Sequence, residues 1–385
     1  MNIVKEEYLA QKIDANLKIE EIEISQKINI VIFGKGFVGG TLIDQIIENT
    51  QSILDRNKIH LNIFAVANSK KVLLNSNGID ESWKKNLEKK GIENISVEDI
   101  IYYAKNHHLE NLIAADNTAS VSFVSNYIPL IEGGFDLVSS NKIANTLSFE
   151  FYRELRAKLK KHKKEYLYET NVGAGLPLID SIRLLHESGE NITKIKGVFS
   201  GSLSYLFNTF SEENVSFTTV LQEAIDKGFT EPDPREDLGG NDVARKLLIL
   251  ARELDLANEL EDVKIKNLIP ENLREGKVRD FLVNLELLNE EYQILKDNQK
   301  PNHVLRYIGE LSGDLSKENG SLEVKLVSIP INSPLGSLKG SDAIFEIYTE
   351  SYGEQPIVIQ GAGAGANVTA RGVFGDILRL AKQYN

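Results

Sequence analysis

A chain of 385 residues, 42% hydrophobic and 26% charged, has the apolar content to build two or three packed domains. No apolar run approaches the ~18 residues that a membrane-spanning helix needs. A net charge of −12 argues against nucleic acid as a partner, and the absence of cysteine excludes disulfides, thiolate metal sites and catalysis through a covalent thiol.

Residues 1–26 are charged, carry some helical pattern and lack the apolar core of a signal peptide, so a cytoplasmic location is expected. Lys27–Phe33 (KINIVIF) reads as a buried parallel strand rich in β-branched residues. It runs into Gly34-Lys35-Gly36-Phe37-Val38-Gly39 and then an amphipathic helix. Glycines at that spacing, between a strand and a helix, let backbone N–H groups approach a pyrophosphate. A second strand, LNIFAVA, ends at Ala67. Dinucleotide-binding folds usually carry an acid there for the ribose 2′-hydroxyl. Here the chain reads Ala67-Asn68-Ser69-Lys70-Lys71, a hydroxyl and two cations suited to a 2′-phosphate, so NADP is expected over NAD.

Further strands are expected to end at Asp116, Ser140 and Thr170, the last being EYLYET, with helices between them. Such alternation gives a Rossmann-type doubly wound parallel sheet, with ligands outside the carboxyl ends of its strands. Asp116–Ser120 and Ser139–Lys142 are two such ends, and Lys142 is a candidate proton donor or substrate anchor. Beyond about residue 172 the character changes to a second, mixed α/β domain. Strands are expected at 194–201 and 322–329, and helices at 216–228 and 241–256. After Gln360 a glycine run leads into an amphipathic helix at 371–383 that should return to the nucleotide domain. The expected division is an extension at 1–26, a nucleotide domain at 27–170, a substrate and dimerisation domain at 171–358, and a returning segment at 359–385.

The most informative stretch is Gly228–Ala251, GFTEPDPREDLGGNDVARKLLILA. Pro232 and Pro234 stiffen a loop carrying Glu231, Asp233, Glu236 and Asp237. In the helix that follows, Asp242 and Lys246 are four apart and share one face, bordering an apolar stripe of Val243, Leu247, Leu250 and Leu254. A lysine held beside a carboxylate at a cleft edge can give or take a proton. With no thiol in the chain, an aldehyde here must be reduced or formed directly by hydride transfer.

The run GFTEPDPREDLGGNDVARK, with VANSKKVLL, ETNVGAGLP and FSGSLSYLF, resembles homoserine dehydrogenases over roughly residues 27–385. It is most similar to the dehydrogenase portion of bifunctional aspartokinase–homoserine dehydrogenases. The resemblance implies NAD(P)-dependent interconversion of L-aspartate 4-semialdehyde and L-homoserine, in threonine and methionine biosynthesis, by a cytoplasmic homodimer acting on a small molecule. It implies cofactor contacts at Gly34, Gly36, Phe37, Val38, Gly39, Ala67, Ser69, Lys70, Thr118, Lys142 and Gly365. Gly201, Ser202, Glu231, Asp237 and Asp242 would line the substrate site, with Asp242 and Lys246 as the catalytic pair. The residues leave open whether Lys246 or Lys142 delivers the proton. The family pattern also implies a monovalent cation such as Na⁺, held by Glu169 and the carbonyls of Val172, Ala174 and Leu176. Ser140 stands where the family usually has proline. Residues 1–26 are too short for a ligand-sensing domain, so strong inhibition by threonine is not expected. Rival readings are another amino-acid or hydroxy-acid dehydrogenase, and a catalytically dead NADP sensor.

Overall fold

The computed structural model describes residues 26–384, so the expected extension at 1–26 lies, apart from Gln26, outside the described residues. Strand β1 (Gln26–Phe33) alternates its side chains between two cores. Ile28, Ile30 and Ile32 pack with Leu42, Ile43 and Ile46 of helix Phe37–Asn57 and with Val373, Phe374 and Ile377 of helix Ala366–Ala381. Val31 and Phe33 join the opposite cluster, which holds Ile100 of helix Val97–Asn106 and Leu130 of helix Tyr127–Glu132. A strand apolar on both sides needs both faces of its sheet covered, and the two helix layers supply that cover.

Strand β2 (Ile59–Ala67) lies parallel to one side of β1. It turns back into antiparallel β3 (Lys71–Leu74), which pairs with β4 (Ile92–Glu93) at the sheet edge. On the other side of β1 follow β5 (Leu112–Asp116), β6 (Phe135–Ser139) and β7 (Tyr166–Leu167), all parallel. The order β4-β3-β2-β1-β5-β6-β7 reverses direction between β1 and β5, which opens a crevice at their carboxyl ends. The strand expected to reach Thr170 stops at Leu167, and Glu169–Asn171 forms a 3₁₀ turn. Glu169 leaves the strand because its carboxylate accepts the Ile179 and Asp180 N–H groups at 2.7 and 2.9 Å, at the start of helix Leu178–Glu187.

The second sheet comprises β8 (Ile192–Val198), β9 (Lys264–Ile265), β10 (His303–Ser312), β11 (Ser321–Pro330), β12 (Asp342–Thr349) and β13 (Ile357–Ala362). Its order is β13-β12-β8-β10-β11-β9, antiparallel except for the β9–β11 pair. Helices Gly201–Glu212 and Asn241–Arg252 pack on β10. The strand expected at 194–201 ends at Val198, because Ser200 caps the helix that Gly201 opens, its side chain accepting the Leu203 N–H. The last helix begins at Ala366, five residues before the expected start, and packs beside helix Phe37–Asn57. Among the described residues no helix is long and apolar enough to cross a membrane.

Candidate active site

The glycine loop closes by contact rather than by flexibility. Gly34 has φ +86°, and a Cβ there would meet the Asn117 carbonyl oxygen at 2.7 Å. A Cβ on Gly39 would meet the Gly34 oxygen at 1.9 Å. By contrast, a Cβ on Gly36 would meet nothing within 4 Å, so open space lies over this turn. Helix Phe37–Asn57 starts there with no side-chain cap and no acid in its first turn, which leaves its N-terminal N–H groups to an anion. Phe37, at its first position, is 91% exposed at the mouth of the crevice, with Val38 half-buried behind it.

At the end of β2, Ala67 is buried and the Asn68 side chain shapes the turn by accepting the N–H groups of Lys70 and Lys71, both at 2.8 Å. Ser69 and Lys70 are exposed. Lys71 is not available to the crevice. Its Nζ bonds the Glu88 carbonyl at 3.1 Å and lies 3.6 Å from Glu93 across the β3–β4 edge. Of the two cations expected to face a 2′-phosphate, Lys70 alone is free to do so.

Across the crevice, buried Asp116 braces two strand ends. Its carboxylate accepts from the Thr118 N–H at 2.8 Å, the Tyr127 hydroxyl at 2.7 Å and the Asn141 side chain at 3.0 Å. Burial raises the pKa of Asp116 and these hydrogen bonds only partly offset it. Asn141 in turn precedes Lys142, so Asp116 fixes where that lysine leaves the sheet.

Lys142 and Lys246 reach Asp242 from different parts of the chain. Helix Asn241–Arg252 can place Asp242 there because Gly240 turns into it with φ +75°. A Cβ on Gly240 would strike the Tyr307 hydroxyl at 2.3 Å. Lys246 Nζ lies 2.8 Å from Asp242 Oδ2 and donates to the Phe199 carbonyl, at the end of β8, at 2.8 Å. Lys142 Nζ lies 3.5 Å from Asp242 Oδ1. Burial alone would raise the Asp242 pKa, but the charges of Lys246 and Lys142 outweigh it and hold the carboxyl far below the usual range. For Lys142 the attraction of Asp242 raises the pKa, yet burial and the charges of Lys246 and Arg245 together leave it lowered. An anion between two ammonium groups, one with weakened hold on its proton, is an arrangement that can stabilise and protonate a nascent alkoxide.

Two cavities meet at Asp242. One, of about 420 Å³, lies on the nucleotide side and is lined by Thr118, Ser140, Asn141 and Lys142. The other, of about 520 Å³, is lined by Ser200, Glu231, Asp237 and Asn241. Asp242 and Arg245 line both. The acidic loop is more ordered than its sequence suggested. Asp233 caps a short helix, Pro234–Leu238, and chelates Arg235 at 2.7 Å. Asp237 accepts from the Ser202 hydroxyl at 2.6 Å and the Glu231 N–H at 2.8 Å. One oxygen thus ties the segment to helix Gly201–Glu212 and the other fixes the loop's own backbone, while the Glu231 side chain is exposed at the cavity. Gly201 sits 3.6 Å, measured from a would-be Cβ, from the Ala364 side chain, so the Gly365 turn at the head of the last helix borders the same region. Sequence reading placed Asp116 at a strand end facing the ligand without seeing its bracing role, and passed over Arg245 and Arg274. For Arg245 the signal was present, three residues after Asp242 on the same helix face.

A larger cavity, of about 830 Å³, lies elsewhere, between helix Phe149–His162 and Arg183, Arg252 and Glu253. Two of its four guanidinium groups are spent on ion pairs, Arg183 on Glu253 at 3.0 Å and Arg252 on Glu259 at 3.1 Å.

Glu169 is buried, with Val172 and Ala174 also buried and Leu176 half-buried in the turn that follows. Burial, followed by the charge of Asp180, pushes the Glu169 pKa well up. Both Glu169 carboxylate oxygens accept helix N–H groups and the Leu176 carbonyl accepts the Leu178 N–H at 2.9 Å, so a hard cation would share these oxygens with the backbone. Among the described residues no group of three or more His, Cys, Asp or Glu side chains could hold a metal ion, so such a site depends on the backbone oxygens.

A glycine loop at an uncapped helix N-terminus, with a Lys–Asp–Lys cluster between two cavities beyond it, marks a dinucleotide-binding fold joined to a charged cleft. Residues 177–378 match the family model described as homoserine dehydrogenase, and residues 34–169 match its NAD-binding domain. The chain is 38% identical over 355 residues to a bifunctional aspartokinase/homoserine dehydrogenase of Haemophilus influenzae, covering 91% of this chain and 42% of that protein. It is 40% identical over 354 residues to a chloroplastic bifunctional enzyme of Arabidopsis thaliana, covering 91% of this chain and 38% of the relative. The chain thus spans about two fifths of the length of these relatives. A crystal structure of a Candida auris protein of unknown function superposes with a TM-score of 0.84 at 31% identity, over 93% of this chain and 99% of that one. A hyperthermophilic archaeal homoserine dehydrogenase in complex with NADPH shares the fold, with a TM-score of 0.69 at 23% identity, over 94% and 99% of the two chains. The chain belongs to the homoserine dehydrogenase family.

Proposed function

We propose that this chain catalyses the reversible NADP-dependent oxidation of L-homoserine to L-aspartate 4-semialdehyde, a step toward threonine and methionine. The observation that carries the reading is the convergence of Lys142 and Lys246 on Asp242, where the nucleotide-side and substrate-side cavities meet. A nicotinamide held at the glycine loop would supply hydride exchange with the substrate carbon. The chain's residues handle the oxygen and its proton. In the reducing direction, negative charge grows on the carbonyl oxygen, and the ammonium groups of Lys246 and Lys142 stabilise it. Lys142, its hold on the proton weakened, and Lys246, fixed by two partners, are the two candidates to give that proton. Asp242 keeps both amines aimed at one point. The exposed Glu231 carboxylate suits the substrate's ammonium, and Asp237 with Ser202 holds the wall that presents it.

NADP over NAD is supported by Lys70 and Ser69, exposed where an acid would select NAD. A homoserine dehydrogenase that shares the fold was solved with NADPH bound. Gly34, Gly36, Phe37, Val38, Gly39, Ala67, Thr118 and Gly365 complete the cofactor contacts in this reading. Glu169, with the carbonyls of Val172, Ala174 and Leu176, would hold a Na⁺ ion that pins the turn between the two sheets. The division into a nucleotide unit at 27–170, a substrate and dimerisation unit at 171–358 and a returning segment at 359–385 draws support from the two separate sheets. A homodimer in the cytoplasm, with no nucleic-acid partner, completes the reading. The test is NADPH formation on mixing the protein with L-homoserine and NADP, with no formation from simple 2-hydroxy acids.

A further inference from the structure

We propose that Arg245 anchors the α-carboxylate of the amino-acid substrate, an inference that rests on the dehydrogenase reading above. Helix Asn241–Arg252 carries Asp242, Arg245 and Lys246 at spacings of three and four, so all three side chains leave the same side of it. Arg245 and Asp242 are the two residues that line both cavities. The Arg245 charge stands near enough to Lys142 to help lower that amine's pKa, after the effects of Asp242, burial and Lys246.

The charge accounting at the cleft singles Arg245 out. An amino-acid substrate brings an ammonium and a carboxylate on one carbon, and each needs an opposite charge when water leaves. Lys142 and Lys246 are both turned to Asp242. Arg235 is chelated by Asp233 through three nitrogen–oxygen contacts of 2.7 to 3.1 Å. Arg274 is tied to the Ile269 carbonyl through Nε at 2.8 Å. Arg245 is exposed, and none of its guanidinium nitrogens has a hydrogen-bond or ion-pair partner among the described residues. A planar guanidinium with all its donors open matches a carboxylate in bidentate fashion, which a lysine cannot do. Glu231, exposed in the lining of the same cavity, supplies the complementary charge for the ammonium. Substrate chirality then follows from three points, with ammonium at Glu231, carboxylate at Arg245 and hydroxyl at the lysine pair.

Steady-state kinetics of wild type, Arg245→Ala and Arg245→Lys test this with two substrates, L-homoserine and L-homoserinamide, whose carboxylate is replaced by a neutral amide. Loss of a charge-assisted hydrogen-bonded pair should raise the KM for homoserine about 10- to 100-fold in Arg245→Ala, with kcat and the KM for NADP changed less than about twofold. The kcat/KM for homoserinamide should fall at least about fivefold less than that for homoserine in Arg245→Ala, since the small change in charge beside Lys142 acts on both substrates alike, and Arg245→Lys should recover part of the homoserine KM. A homoserine KM within about twofold of wild type overturns the proposal. So do equal losses on both substrates, which mark a structural role, and a rise in the NADP KM alone, which marks a cofactor phosphate contact. Calorimetric titration of L-homoserine into the NADP-loaded protein reads the anchor without turnover. A wild-type protein that binds homoserine but does not oxidise it sinks the dehydrogenase reading, and the anchor then stands or falls on whether Arg245→Ala weakens that binding. A wild-type protein that binds no homoserine sinks both.

Discussion

Replacing Lys246 by alanine removes the amine that ties Asp242 to the end of β8. Two contacts vanish, at 2.8 Å to Asp242 and at 2.8 Å to the Phe199 carbonyl. The structural cost is that of a mostly buried carbonyl left without its donor, about 1–3 kcal/mol, with Asp242 still neutralised by Lys142. The kinetic cost should be larger than that stability loss makes visible. A group that stabilises the developing alkoxide and shares its proton accounts for at least ~10² in kcat, about 2.7 kcal/mol of barrier. The KM for NADP should change less than about twofold, because the glycine loop does not depend on this amine. The assay is homoserine oxidation at saturating NADP, alongside a thermal melt to show that the variant is folded. A folded variant with kcat within a few-fold of wild type would refute the reasoning and leave the proton to Lys142.

Lys142 releases its proton below the ordinary lysine value of 10.5, so aldehyde reduction should decline and homoserine oxidation rise as pH increases through that lowered value. The pH–rate profile of Lys142→Ala should lack that limb, and an unchanged profile would assign the titration elsewhere. Lys70→Ala should raise the KM for NADP about tenfold and leave that for NAD unchanged, while Lys71→Ala, whose amine is held by Glu88 and Glu93, should do little to either. A larger effect at Lys71 would show that the edge strand rearranges around cofactor. Gly240→Ala forces a Cβ to 2.3 Å from the Tyr307 hydroxyl at a positive φ, and should cost about 2–4 kcal/mol, read as a lowered melting temperature. An unshifted melt would mean that the turn adapts at no cost. Sodium should raise the melting temperature of the wild-type protein and not that of Glu169→Ala, and an equal rise in both would remove the cation from the Glu169 turn.

Features set by neighbours in sequence were legible without a structure. The KINIVIF run, the glycines after it and the stripe of Val243, Leu247 and Leu250 follow from local pattern, and each lies where that pattern demands. Features set by distant partners were not. Lys71 looked like a phosphate ligand until Glu93, on a two-residue strand, drew it to the sheet edge. Asp237 was visible as an acid of the loop, but the hydrogen bond it accepts from Ser202, far away in sequence, was not. Strand propensity carried EYLYET to Thr170, whereas Glu169 is worth more as an acceptor for two helix N–H groups than as a strand residue. The i,i+4 pair of Asp242 and Lys246 was visible as a pair. The third member, Lys142, joins it only through the meeting of the two sheets. Arg245 shares the helix face of Asp242, a spacing visible in the sequence, but its place between two cavities was not.

Lys142, Asp242 and Lys246 are proposed to form a site for homoserine oxidation with NADP. The most direct measurement is the initial rate of NADPH formation from L-homoserine and NADP, with NAD and with a panel of 2-hydroxy acids and other amino alcohols run in parallel. The account predicts homoserine-dependent NADPH formation, slower with NAD, absent with the 2-hydroxy acids and lost in Lys246→Ala. No homoserine-dependent rate, or a faster rate with another alcohol in the panel, would contradict it.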